Sequence, residues 1–280
     1  MYMSTKGRFI LSLIKRIKDD QISALASQMA YRLLLSFFPF MIFLLSIIAY
    51  TPLKSVDLLV FLQGIIPGEA LTLVETTVRE VTEVRKGELL SFSLLGTIWA
   101  ASGGTKAIMR ALNTAYDERE KRSFIKVQLL SIVFTLGLVI ALLATTVLLV
   151  FGNLLGNYLS QFPKFSTALM PVWNMFRYVI MGAVMIAAFT FIYQYTPSRR
   201  LKLREVLPGS LFSTAGWIII SIVFSFYVDN FANYSNLYGG IAAIFILMIW
   251  IYLSSIILLI GGEINATLAF EYPKKYNPRE

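Results

Sequence analysis

The side chains able to do chemistry here are four charges set inside or beside long apolar runs: Arg32, Lys106, Arg110 and Glu263. The amides Asn113 and Asn265 stand close to them. The chain has no His, so imidazole cannot ligate a metal or relay a proton. It has no Cys, which excludes disulfides, thiolate nucleophiles and thiolate metal sites. Neither a G-x-x-x-x-G-K-[ST] phosphate loop nor a dinucleotide fingerprint occurs. No cofactor and no metal are therefore expected. What remains is ion pairing, hydrogen bonding and the capture of charged or amphiphilic groups. Isolated charges in hydrocarbon are costly, so they must pair, line a wet cavity or snorkel. Lys106 and Arg110 are four residues apart and share a helix face. Glu263, short and set between Gly262 and Asn265, has little reach to water. It is either half of a structural ion pair, with Lys106 as its cation, or part of a transport path. Arg110 has a stem long enough to snorkel.

Helices that cross a bilayer must position these charges. The run Asn230 to Gly262 contains no charged residue, and its Ile241–Ile260 part alone meets the need for about 20 apolar residues. Five more such signals precede it. The chain is 57% hydrophobic and 15% charged, with mean hydropathy +0.69, whereas a soluble domain is nearer a quarter charged. The expected fold is an all-α polytopic membrane protein, one membrane domain over 1–280. Its six transmembrane helices are placed at 29–53, 89–113, 127–152, 174–196, 206–229 and 239–270. Pro208 falls in the first turn of the fifth, where proline is tolerated. Arg177 at the start of the fourth span and Asp229 at the end of the fifth form an outer level of charge. Pro39 breaks the donor ladder of the first span and is either a hinge or a packing kink.

Two segments flank or interrupt the spans. In 1–28, Phe9, Ile10, Leu13, Ile14 and Ile17 recur at helical spacing among Lys6, Arg8, Lys15, Arg16 and Lys18. This is a cytoplasmic amphipathic helix, on an anionic leaflet or folded against the bundle. Segment 54–88 is too polar to span; Ile66-Pro67-Gly68 divides it into two short amphipathic pieces. It is an extracytoplasmic cap, a partly re-entrant elbow or a surface hairpin.

The net charge of +9 would suggest nucleic acid in a soluble protein. In a membrane protein, basic residues held on the cytoplasmic side account for it, and no nucleic-acid partner is expected. With both termini inside, 16 of the 25 Lys and Arg lie in cytoplasmic segments and 6 outside. The protein is thus expected to be a multi-pass membrane protein with both termini cytoplasmic and membrane lipids as its partners.

Several pieces, in order, resemble the YihY/BrkB family of bacterial inner-membrane proteins over nearly the whole chain. They are Ala30-Tyr31 to Ser36-x-x-Pro39, Trp99-Ala-Ala-Ser-Gly103 through Ala111-Leu-Asn113 and Tyr116, and Tyr195-x-Pro197. Leu207-Pro-Gly209, Tyr227, Tyr238-Gly239 and Trp250-Ile-Tyr252 to Gly261-Gly-Glu263-Ile-Asn265-Ala266 follow. The resemblance implies a six-helix plasma-membrane protein tied to envelope integrity, serum resistance or lipid export. The ribonuclease label long carried by some members fits badly, because histidine catalysis is impossible and no soluble carboxylate cluster offers a two-metal site. Two functions follow. One is a transporter or flippase of an anionic lipid or other amphiphile. The other is a non-transporting scaffold or envelope-assembly partner.

Overall fold

The computed structural model describes residues 5–49, 103–134, 137, 169–231 and 240–271. The helices are α1 (Thr5–Asp19), α2 (Ile22–Ala49), α3 (103–115), α4 (Phe124–Phe134), α5 (Leu169–Tyr195), α6 (Leu203–Phe231) and α7 (Gly240–Glu271). The described residues are all-α. Among the described residues, three stretches are long and apolar enough to cross a membrane: Tyr178–Tyr195, Leu203–Val228 and Ile244–Glu271. This is a multi-span membrane protein with at least three such helices. Segment 54–88, the first half of the expected second span and most of the third lie outside the described residues.

Helix ends follow from local chemistry. After α1, Gln21 takes a left-handed backbone (φ 50°), which an L side chain adopts at a cost. The next turn starts at once, with the Ala24 and Leu25 N–H groups donating to the Gln21 carbonyl. Helix α2 thus begins at Ile22. After α3, Asp117 is left-handed (φ 54°), Glu118 N–H donates to the Asn113 carbonyl, and Asp117 N–H to that of Thr114. That pair of bonds is a Schellman closure, with Asp117 where glycine is commoner. At the start of α6, Glu205 reaches back to the Lys202 N–H at 2.6 Å, the N3-to-cap half of a capping box.

The chain divides into two compact units. One comprises 1–20, 109–216 and 258–280; the other comprises 21–108 and 217–257. In the second, Ala26, Met29 and Ala30 of α2 are buried, as is Ala107 of α3. A Cβ at Gly104 would sit 2.8 Å from Leu33 Cδ2, so α2 and α3 approach closely there. Trp217 and Trp250 meet edge to face at 5.7 Å, and Ser23 and Tyr252 share a 2.9 Å hydrogen bond.

In the first unit, α5, α6 and α7 are joined by a buried polar seam. The Tyr193 hydroxyl lies 2.6 Å from Ser213 Oγ and donates to the Leu258 carbonyl. Thr190 donates to Ser210 at 3.0 Å. A Cβ on Gly209 would overlap the Gly261 carbonyl, and one on Gly261 would overlap the Ser213 and Tyr193 hydroxyls. Glycine lets the two backbones touch, the usual device for packing helices that share an apolar solvent. Pro208 stands in the second turn of α6, not the first, because the helix begins at Leu203. Beside it, Gly209 N–H donates to Asn265 Oδ1 (2.6 Å) while Asn265 Nδ2 donates to the Val206 carbonyl (3.1 Å). The side chain of α7 thus satisfies backbone groups next to the proline.

Candidate functional site

The site is built around Arg16, within the first unit. On α1 the residues Phe9, Ser12, Leu13, Arg16 and Ile17 are half-buried, while Ile10, Leu11 and Ile14 are more than half exposed. The apolar stripe legible in the sequence is therefore split, and Arg16 lies on the inward part.

Arg16 Nε donates to Glu263 Oε2 at 3.1 Å. Its Nη2 donates to the Ala115 carbonyl and lies 3.8 Å from Asp20 Oδ2; its Nη1 donates to Asp117 Oδ2 at 3.4 Å. The guanidinium also sits 4.9 Å from the Phe270 ring centre. Planar and forked, it ties α1, the end of α3 and α7 together, which a lysine ammonium could not do with one atom. Glu263 is fully buried. Its Oε1 has no hydrogen-bond partner among the described residues. Burial raises the Asp20 carboxyl above its ordinary range, against the opposing pull of the Glu263 hydrogen bond and Arg16.

Beside this hub is a cleft of about 290 Å³, lined by Ser12, Lys15, Arg16 and Asp19 of α1 and Thr267, Phe270 and Glu271 of α7. Glu271 accepts from Ser12 at 2.8 Å and pairs with Arg8 at 3.3 Å. The cleft carries both signs of charge and has an aromatic wall.

The expected polar cluster is divided. Arg110, Asn113, Glu263 and Asn265 belong to the first unit, and Arg32 and Lys106 to the second. Lys106 is half-buried, and Arg32 and Arg110 are exposed. The ion pair found for Glu263 is with Arg16, where Lys106 was the expected cation. Asn113 serves the loops: Oδ1 accepts from Ser198 N–H (2.7 Å) and Nδ2 donates to Glu120 (3.1 Å). Glu120 also takes bonds from Arg122, Nε at 2.7 Å and Nη2 at 2.8 Å, and from Ser198 Oγ at 3.1 Å. Arg122 caps the end of α5 through the Tyr195 and Thr196 carbonyls. The Arg122 hydrogen bonds hold the Glu120 carboxyl down at about 2, despite its partial burial. Asn265 is structural, as described above. Pro39 lies inside α2. Arg177 and Asp229 stand on α5 and α6, with their side chains outside the described residues.

Arg16 and Asp20 were missed as site residues. The signal was present: Arg16 is three residues after Leu13 and seven after Phe9, on the apolar face, with Asp20 four residues further on. Among the described residues no group of three or more His, Cys, Asp or Glu could hold a metal ion.

The chain resembles YfkH of Bacillus subtilis, which carries a ribonuclease-like name, at 43% identity over 93% of this chain and 94% of that protein. It is 30% identical to a UPF0761 membrane protein of Aliivibrio salmonicida, over 93% of this chain and 83% of the relative. A UPF0761 membrane protein of Alteromonas mediterranea is 26% identical over 95% of this chain and 90% of its own. No solved structure matches the chain. The model of the family described as Virulence factor BrkB matches residues 13–280. With apolar helices of membrane-spanning length and this match over almost all its residues, the chain belongs to the Virulence factor BrkB family, as a multi-pass protein of the bacterial inner membrane.

Proposed function

We propose that this protein is a non-enzymatic six-span transporter or flippase that moves an anionic lipid or similar amphiphile, with both termini in the cytoplasm. The observation that carries this reading is the cleft between α1 and α7. Lys15 lines it and offers positive charge to a phosphate or carboxylate head, and Phe270 offers an apolar wall. Ile10, Leu11 and Ile14, more than half exposed on the same α1, are suited to acyl chains. A charged recess beside exposed apolar residues matches the two ends of an amphiphile.

Reconstitution tests it. Purified protein in liposomes should accelerate transfer of a fluorescent phosphatidylglycerol between leaflets, and Lys15→Gln with Arg8→Gln should slow it several-fold. No acceleration over empty liposomes for anionic, zwitterionic and neutral lipids would remove this reading. The second function, a non-transporting scaffold, is favoured by the seam of Tyr193, Ser213, Gly209, Gly261 and Asn265, whose tight packing resists the rearrangement that transport requires.

A further inference from the structure

Charge does not balance around Glu263. Glu263 is fully buried and the Asp20 side chain is only 17% exposed, and both lie within ion-pair distance of the single Arg16 guanidinium. Asp117, the third acid on that guanidinium, is 65% exposed and solvated. The Asp20 and Glu263 carboxyls also interact with each other. Glu263 engages Arg16 through Oε2 only; Oε1 is buried and unpartnered. Among the described residues, the buried hydroxyls without a hydrogen-bond partner include Thr267 Oγ1, one turn further along α7, and Tyr116 Oη, which senses the Glu263 charge. With both carboxyls ionised, one negative charge is left uncompensated in a place that water barely reaches. Like charges so close cannot both ionise cheaply, and the proton then belongs to the pair, not to either residue.

We propose that Asp20 and Glu263 form one proton-binding site that holds a single proton between their carboxyl groups at neutral pH, with Arg16 as the counter-cation. A proton leaving hydronium adds to Glu263 Oε1. The new O–H donates to the Asp20 carboxylate, water is left behind, and no other bond changes. Arg16 keeps its contacts with Glu263 Oε2 and Asp20 Oδ2. The cleft supplies the path, since both Arg16 and Thr267 line it. The other charged or titratable groups around the pair are Lys15, exposed on the cleft, and Asp19 on α1, Tyr116 and Asp117 after α3, Tyr193 on α5, Arg199 and Glu205 near Tyr116, and Glu271 on α7, itself paired with Arg8. Burial raises the Asp20 carboxyl, in the direction that retains a proton. The site stands whether or not the chain carries an amphiphile.

Infrared difference spectroscopy of the full chain in lipid nanodiscs tests this, by following the C=O stretch of protonated carboxyl groups through a pH titration. The wild type should keep one protonated carboxyl band at neutral pH. Both Glu263→Gln and Asp20→Asn should abolish it, because the remaining acid would then ionise against Arg16. Glu120→Gln, in the separate Asn113–Arg122 loop cluster, should leave it unchanged. No protonated band at neutral pH in the wild type overturns the proposal. So does a band that survives Asp20→Asn, since Glu263 would then be protonated by burial alone. Should Glu263→Gln fail to fold, Glu263→Asp keeps both carboxyls. The band must then persist at a shifted frequency, and an unshifted band assigns it to another residue and overturns the site.

Discussion

Arg16 and Glu263 are 247 residues apart in the chain, and their side chains meet at 3.1 Å. The contact joins a basic helix at one end of the sequence to the most apolar of the described helices at the other. Glu263 has no exposure and Arg16 little, so neither can regain its hydration when the other is removed. Truncating one partner of a buried pair typically costs about 3–5 kcal/mol, because the remaining charge is stranded. Arg16→Ala should lower the unfolding temperature markedly in detergent. Adding Glu263→Gln should restore part of the loss, with a coupling of roughly 0.5–3 kcal/mol in a double-mutant cycle. Strict additivity of the two single effects would show that the contact does not stabilise the fold.

The backbone contact of α6 with α7 predicts a sharp contrast between two glycines. Gly261→Ala must push its new methyl against the Ser213 and Tyr193 hydroxyls, and overpacking of that kind costs about 1–3 kcal/mol. Gly182 on α5 has nothing within 4 Å of the corresponding position. There Gly→Ala should be neutral or stabilising, by up to about 1 kcal/mol of helix propensity. Chemical denaturation of both variants measures the difference. Equal effects would mean that the helices stand further apart.

The loop cluster should give the stability curve a feature at low pH. Arg122 holds the folded Glu120 carboxyl at about 2, below its ordinary 4.5. A depressed carboxyl stabilises the folded state above the unfolded value, and that contribution fades as pH falls from about 4.5 towards about 2. Glu120→Gln should therefore destabilise at neutral pH and flatten the acid side of the curve. The effect should be modest, because the side chain is a third exposed. A profile parallel to the wild type across that window would exclude Glu120 as its source.

A chain without cysteine permits a direct topology map. Single cysteines at positions 121 and 201 should react with a membrane-impermeant maleimide only after the cells are opened, whereas cysteines within 54–88 should react from outside. Strong labelling of 121 or 201 in intact cells would reverse the proposed orientation.

What the sequence determined by itself was whatever depends on a local sum. Runs such as Ile241–Ile260 are apolar over a bilayer's thickness whatever they pack against, so the membrane class was legible. The oddity of Glu263 was legible too, because a short carboxylate in such a run demands a partner. Its partner was not. Lys106 and Arg16 are both basic residues on helices, and helical periodicity says which residues share a face but not what that face meets. Only the tertiary structure placed Arg16, with Leu13 and Ile17, on the inward side and left Ile10 and Ile14 outside. The same limit hid the role of Asn265. Its two bonds satisfy backbone groups beside Pro208, 57 positions earlier in the sequence, and backbone satisfaction is a property of the packed helices, not of residue type. Asn113 was legible as a polar residue at a helix end. That it fastens Ser198 and Glu120 was decided by how the turn after α5 meets the end of α3 within one compact unit.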